Sequence, residues 1–358
     1  MPFRPMHARL VQGVAGLSVA TLAASTALAH HSFAKFDTSS VIEIDGEVAE
    51  INWRNPHVRL TVDVTDAAGQ TVAWELETSS PGMLGRMDVT ADAVRLGDRV
   101  RVAGNPAVDG SPELFATNLL LPDGQEVLLR FRDRPRWAED QTIGEQGAWF
   151  VAEGDASAPD AGLFRVWSGT FATDTPPLLF PDNTSPSFTP LDYPLTHEAR
   201  AAVEAFDPVE ASATADCTPK GMPHIMEQPY NMEIVDGGDV IRFRIEEYDV
   251  VRTIHMTPDA DPTAADASPQ GFSMGRWEDG VLVVRTTKIS YPRFNFSVPQ
   301  SDQVEIVERF TPSADGARLD YAITITDPAT FTEPVVLGKH WIWIEGASIE
   351  PYDCSEAG

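Results

Sequence analysis

The chain has 358 residues, room for about two domains and for cores that need no metal or disulfide staple. Hydrophobic residues make up 42% and charged residues 22%, a globular balance and not a disordered one. Lys plus Arg number 26 against 54 Asp plus Glu, a formal charge of −28; such a field repels phosphate backbones and anionic lipid, so nucleic acid is excluded as an expected partner while neutral and cationic partners stay open.

Residues 1–29 read as a signal peptide. Arg4 and Arg9 make a basic start, Leu10 to Leu28 is apolar with small residues, and Ala27-Leu28-Ala29 has the form of a cleavage site. Gln12, Gly13, Ser18, Thr21, Ser25 and Thr26 interrupt the apolar stretch, which makes it a weak membrane anchor. Cleavage after Ala29 and release to the periplasm or beyond are the expectation, with no membrane span afterwards. The only cysteines are Cys217 and Cys354. Two cysteines in an exported chain most simply form one disulfide, tying the start of the last domain to its end; the chain-entropy model values such a closure at about 4–5 kcal/mol. A two-cysteine metal site is the rival reading, without the C-x-x-C spacing that would favour it.

From residue 41 to 131 the pattern is that of strands. Val41 to Ile51 reads as one long strand broken near Gly46, Val58 to Val64 alternates with period two, and Thr71 to Glu77 returns after the turn Ala67-Ala68-Gly69-Gln70. Pro81 to Met87 fits a short helix capped by Ser79 or Ser80. Arg99 to Gly104 and Leu114 to Leu121 supply a fourth and a fifth strand. Five strands with a helix between the third and fourth is the order of an OB-type barrel, here without the basic groove that nucleic-acid binding needs. The domain is set at 30–131.

Residues 132–215 are rich in Pro, Ser, Thr, Asp and Gly and read as an extended connector. Ala148-Trp149-Phe150 and Leu163 to Trp167 are apolar enough to pack on a domain, and Thr196 to Phe206 is the best helix of the chain, with Thr196 as its N-cap. Residues 216–358 return to β. About eight strands are expected: 232–235, 240–245, 250–256, 271–278, 281–287, 303–310, 318–326 and 335–343, with turns at Asp236-Gly237-Gly238-Asp239, Asp279-Gly280 and Asp315-Gly316. The fold class is therefore all-β: an OB-like small barrel, a Pro-rich connector, and an antiparallel barrel or sandwich of lipocalin-like size, which commonly holds one small ligand.

His30-His31-Ser32-Phe33, Trp53-Arg54-Asn55-Pro56-His57, Trp74-Glu75-Leu76-Glu77 and Leu96-Gly97-Asp98-Arg99-Val100 together resemble an uncharacterised family of small exported bacterial domains. The C-terminal part resembles a second uncharacterised exported family, through Cys217-Thr218-Pro219-Lys220-Gly221-Met222-Pro223, Ser273-Met274-Gly275-Arg276-Trp277-Glu278, Leu282-Val283-Val284, Glu308-Arg309-Phe310 and Asp327-Pro328. The glycine common after that Trp-Glu pair is replaced here by Asp279-Gly280. Neither resemblance implies an activity or a catalytic residue.

Cleavage after Ala29 would make His30 the first residue. Its free amine, its ring and a second imidazole, from His31 or His57, form a three-nitrogen donor set suited to Cu(II); an ordinary solvated terminus is the plain alternative. In the last domain, His224, Glu246, Glu247, Tyr248, Arg252, His255, Trp277, Glu308, Arg309 and His340 carry chemistry-bearing groups, with His224, His255, Glu246 and Arg252 the candidates for acid–base work. Period two places Arg252 and His255 on opposite faces, and Arg244, Glu246 and Tyr248 on one face. Cross-strand ion pairs are the competing explanation. The nucleophile elbow G-x-S-x-G, the P-loop, H-E-x-x-H and G-x-G-x-x-G do not occur. The leading expectation is an exported non-catalytic binding protein with a small ligand in the C-terminal barrel and copper at the mature N-terminus; the alternative is an exported hydrolase, lyase or isomerase working inside that barrel.

Overall fold

The computed structural model describes residues 35–130, 133–144, 154–156, 162–170, 190–207, 217–227, 229–295 and 297–354. Residues 1–29, read above as a signal peptide, and His30, His31, the Ala148-Trp149-Phe150 piece and most of the Pro-rich stretch lie outside these residues. Strand content is 42% and helix content 10%.

The first sheet begins with β1 (Ile42–Asn52), β2 (Arg59–Thr65) and β3 (Thr71–Glu77), a meander in which the alternating Leu60, Val62 and Leu76 turn inward. After α1 (Pro81–Gly85), β4 (Arg99–Pro106) pairs antiparallel with β1 and β5 (Glu113–Leu120) with β4. Parallel pairing of β3 with β5, Glu75 to Glu113 and Glu77 to Phe115, then closes the circuit β1-β2-β3-β5-β4-β1. This is the OB circuit, and it removes the sheet's free edges. The expected break at Gly46 does not occur. Instead β1 runs unbroken and bulges between Val48 and Glu50, which lets one long strand pair with β2 at one end and β4 at the other. Gly46 serves close approach: a Cβ there would lie 2.6 Å from the Asp63 carbonyl oxygen. The helix α1 starts as the sequence suggests, with the Ser80 hydroxyl accepting from the Met83 amide at 3.3 Å and Pro81 in the first turn. Leu84 on its inner face is fully buried in the barrel core.

The connector contributes strands to both sheets. In the first, β6 (Glu126–Leu128), still within the first domain, extends β5, and the connector's β7 (Thr142–Ile143) pairs with β6. The carboxylate of Glu126 is fully buried and accepts the backbone amides of Arg136, Trp137 and Ala138 at 2.7–2.9 Å, together with Asn118 Nδ2 at 2.7 Å. In the second sheet, β8 (Val166–Trp167) adds to β9 (Met232–Asp236). From there the chain runs through β10 (Val240–Ile245), β11 (Val250–His255), β12 (Phe272–Glu278), β13 (Val281–Thr287), β14 (Glu305–Pro312), β15 (Arg318–Thr326) and β16 (Val335–Ile342). All eight expected strands are present, and β8 makes a ninth. Pairing is antiparallel except at β11–β12, where Ile254 and His255 run parallel to Ser273 and Met274. Next to β8, Ser168 exchanges backbone hydrogen bonds with Ile342 at 2.8 and 2.9 Å, bringing the last strand to the first and nearly closing a barrel. The helix α2 (His197–Glu204), capped by Thr196 as expected, docks on this barrel through the Thr196 amide on the Thr330 carbonyl.

One expectation fails at the end of β10. Arg244 is exposed and ion-paired with Glu233, whereas Glu246 is buried. The strand stops at Ile245, Glu246 takes an αR conformation and Tyr248 sits at φ +57°, so the period-two argument that put Arg244, Glu246 and Tyr248 on one face no longer applies.

The disulfide Cys217–Cys354 is formed, with the Cα atoms 5.8 Å apart. It anchors the C-terminal segment beside the first barrel, where Asn55 bridges Cys354 and its amide donates to the Asp353 carbonyl at 3.1 Å. Two further contacts join the barrels. Arg86, at the end of α1, donates to the Pro229 carbonyl at 3.1 Å, and Tyr230 donates to the Ser80 hydroxyl at 2.9 Å.

Candidate functional site

The interior of the second barrel is filled. Trp167, Phe243, Phe294, Phe310 and Trp341 are each 2% exposed or less and belong to one apolar cluster. Arg252 sits in the midst of it, 1% exposed. Its Nη1 donates to Glu308 Oε1 at 2.8 Å and its Nη2 to Glu308 Oε2 and to Thr286 Oγ1, while Nε and Nη2 reach Ser273 Oγ. Tyr321 donates to Glu308 Oε1 at 2.7 Å. Burial works against the Arg252 charge, but the Glu308 carboxylate outweighs it and holds the guanidinium's pKa above its ordinary value. Every face of this guanidinium is engaged, so it has no donor left for a substrate.

The other candidates scatter. His224 is buried on a one-turn helix beside Tyr291 and Glu227, its pKa driven well below the usual imidazole range by burial and then by Lys220 and Arg293. Glu247 is paired with Lys220 at 2.9 Å. His255 stacks on Phe272, with centroids 4.6 Å apart. Arg309 is exposed and paired with Glu278, and Trp277 is 47% exposed against Phe164. His340 is buried on β16 opposite Asp320. Of the acid–base candidates, Glu246 alone reaches an open site.

That site is a cleft of about 700 Å³ between the two barrels. The first barrel supplies Asn55 from the β1–β2 turn and Gly82 and Arg86 from α1; the second supplies Ser168, Tyr230, Asn231 and Glu246, and the C-terminal segment 344–352 forms a further wall. Arg86 and Glu246 meet at 3.4 Å. Burial pushes the Arg86 guanidinium down to about 10 against the opposing charge of Glu246. Burial likewise raises Glu246, with Arg86 and the Glu350 backbone amide holding it down. Tyr230 and Tyr352 stack edge to face at 5.5 Å, and burial raises both phenols. Asn231 Nδ2 donates to the Ser348 carbonyl at 2.6 Å. The side-chain oxygens of Asn55 and Asn231 are both buried and neither has a hydrogen-bond donor. Buried acceptors without partners are uncommon in folded proteins.

His57 lies just beyond Asn55. Its Nδ1 is 2.8 Å from the Thr78 carbonyl oxygen and 3.4 Å from Glu77 Oε1. A carbonyl accepts only, so Nδ1 is the donor in this contact. Among the described residues no cluster of three His, Cys, Asp or Glu side chains is placed to hold a metal ion. His30 and His31 lie outside those residues.

Sequence reasoning did not single out Arg86, Tyr230, Asn231 or Tyr352. Asn55 stood within a motif but without a role. Its signal was the compact Trp53-Arg54-Asn55-Pro56-His57 run; the others carry no local pattern, because the cleft is assembled from distant segments.

Residues 18–115 match a family described as a family of unknown function (DUF6152), in agreement with the likeness of the N-terminal part to an uncharacterised domain. No curated protein matches the chain. A solved structure that matches part of it is a crystal structure of a mitochondrial single-stranded DNA-binding protein from S. cerevisiae, 18% identical over 23% of this chain and 94% of that chain, with a TM-score of 0.19. A likeness that low carries no argument about partners. No helix among the described residues is long and apolar enough to cross a membrane.

Proposed function

We propose that the chain is an exported, non-catalytic binding protein that takes a small ligand in the cleft between its two barrels. The observation that carries this reading is a cleft of about 700 Å³ lined by both barrels, whose walls include Asn55 and Asn231, two buried residues with side-chain oxygens that accept no hydrogen bond. The ligand site thus moves from the inside of the C-terminal barrel, which its own side chains fill, to the junction. The catalytic alternative loses its ground in the barrel because Arg252, its best cation, is fully engaged by Glu308, Ser273 and Thr286. The disulfide supports release to an oxidising compartment after cleavage behind Ala29. The proposal includes fusion of the OB-like domain to a second uncharacterised exported β family.

Hydrogen exchange with and without a panel of small solutes tests the cleft. A binder slows exchange at the Asn55 and Glu246 amides, which donate to the Asp353 and Asn231 carbonyls at the two sides of the site. Protection confined to β11–β14 would place the ligand in the barrel and end this reading.

A second reading is favoured by His57. With Nδ1–H held by Thr78 and Glu77 close by, its Nε2 is set as a metal ligand in the way histidine ligands are commonly oriented. We propose Cu(II) on the His30 amine and ring, completed by His31 or His57. Protein beginning at His30 is expected to bind Cu(II) more tightly than protein with one extra N-terminal residue; equal affinities refute it.

A further inference from the structure

The depth of the cleft differs from its rim. Trp167, Met232 and Ile245 stand in one row across β8, β9 and β10, buried in the barrel core. Ser168, Asn231 and Glu246, each next to one of them along its strand, line the cleft instead. The Glu246 amide donates to the Asn231 carbonyl at 3.0 Å and keeps this second row in register. Neighbouring strands lie about 4.8 Å apart, so the row is about 10 Å long. Both of its ends keep hydrogen-bonding capacity. Ser168 is 3% exposed; its amide and carbonyl are engaged by Ile342, and its hydroxyl has no partner among the described residues. Glu246 accepts from Arg86 and from the Glu350 amide, which occupies only part of a carboxylate's roughly four lone-pair sites. Across the cleft stands Asn55, 8% exposed. Its side-chain oxygen is buried, while its Nδ2 has no partner among the described residues and faces the cleft.

At this depth the charges cancel, because Arg86 faces Glu246 at 3.4 Å. The remaining carboxylates, Asp88, Glu345 and Glu350, are exposed and form the rim, where water and salt screen them. The deep lining therefore presents two unengaged donors and an acceptor, with no net charge. An anion has to pass the rim carboxylates. An ammonium cannot use the Asn55 Nδ2, and an apolar ligand would cover both donors without bonding them. A neutral ligand whose hydroxyls each donate and accept matches the whole set. We infer that the cleft takes a neutral saccharide of two linked rings, lying along the row from Ser168 to Glu246. Its hydroxyls donate to Glu246 and accept from Ser168 and from the Asn55 Nδ2. The length of the row is one that two rings span and one ring does not. This inference rests on the cleft reading above and adds the ligand's chemistry to it.

Calorimetric titration of the full, disulfide-bonded protein tests it, with hydrogen exchange as the locator. Cellobiose, maltose and lactose are the neutral probes, glucuronate the anionic one and putrescine the cationic one. At least one disaccharide is expected to bind one to one, with an affinity that added salt leaves unchanged, and to slow exchange at the Asn55 and Glu246 amides. Ser168→Ala removes a hydroxyl that bonds to nothing in the protein, so it is expected to keep the wild-type urea midpoint while weakening the disaccharide about fivefold. Asn55→Ala is expected to weaken it by a similar factor. Disaccharide binding that both substitutions leave unchanged would overturn the inference. Putrescine or glucuronate protecting the two amides where no disaccharide does would overturn the saccharide and leave the cleft standing. Protection by none of the five probes would also overturn the saccharide, and a wider solute panel protecting only β11–β14 would take the cleft reading down with it.

Discussion

The Arg252–Glu308 pair offers a decisive test of the claim that the second barrel is closed to substrates. Glu308 is fully buried, and its two oxygens accept from both Nη atoms of Arg252 and from the Tyr321 hydroxyl. Glu308→Leu leaves a guanidinium stranded in an apolar cluster, where an unpaired charge costs about 3–5 kcal/mol. Arg252→Met strands the carboxylate and costs a similar amount. The double variant removes both charges and fills the space with apolar atoms, so it is expected to lose far less than the sum of the two. What remains is the Tyr321 hydroxyl without its acceptor, worth about 1–3 kcal/mol; adding Tyr321→Phe recovers most of that. Urea unfolding of the four disulfide-bonded proteins, followed by tryptophan fluorescence, gives the cycle directly. A Glu308→Leu protein within about 1 kcal/mol of wild type would mean that water or another group reaches Arg252, and the filled-barrel argument would fall with it. So would a double variant that loses the full sum.

Other consequences are open to measurement. Cys217→Ser with Cys354→Ser frees a loop of 137 positions and is expected to cost up to about 5 kcal/mol, and to speed exchange of the Asn55 amide, which the bonded segment holds; a change in stability without that local loosening would contradict the anchoring role. Burial holds the Lys339 ammonium down at about 8 against an ordinary 10.5, with Glu227 opposing. Between those limits the unfolded chain binds the extra proton, so this group's contribution to stability is missing below pH 8 and rises toward pH 10.5 by about 3 kcal/mol. Lys339→Met should abolish that rise, and a wild-type profile as flat as the variant's would refute it. Glu126 lies below its ordinary value because, although burial opposes its charge, the amides of Trp137, Arg136 and Ala138 outweigh the penalty. Its stabilisation is present at neutral pH and lost as acid protonates it; Glu126→Gln should cost about 1–3 kcal/mol and expose those three amides to exchange, whereas an unchanged exchange pattern would show that the carboxylate does not hold the loop.

Much of the architecture could be read from alternation. The OB order came from five short strands around Pro81 to Met87, and the eight strands of the second half lay between clear turns, because buried side chains recur with period two there. The disulfide followed from the count of cysteines. The ninth strand did not declare itself: Val166 and Trp167 are two residues inside a Pro-rich stretch, too few to show a period. Glu246 was misplaced because a strand's end is set by local backbone geometry, which alternation does not record. The cleft was illegible for a different reason. Asn55, Arg86, Tyr230, Glu246 and Tyr352 become neighbours only when the barrels meet, and long-range assembly leaves no local pattern.

The small strand at Val166–Trp167 also bears on how the molecule can be taken apart. With Ser168 it meets both β9 and Ile342, so it occupies the seam where the barrel's first and last strands would otherwise lie open. A fragment cut where the composition changes, at residue 216, would keep eight strands and lose the seam. Its β9 and β16 would then present unpaired amides and carbonyls to any similar edge. Such a fragment should associate in sedimentation experiments, while one beginning at residue 162 stays single; the same seam makes folding wait for chain ends far apart in sequence, a slow step during which the open edges are exposed to other copies.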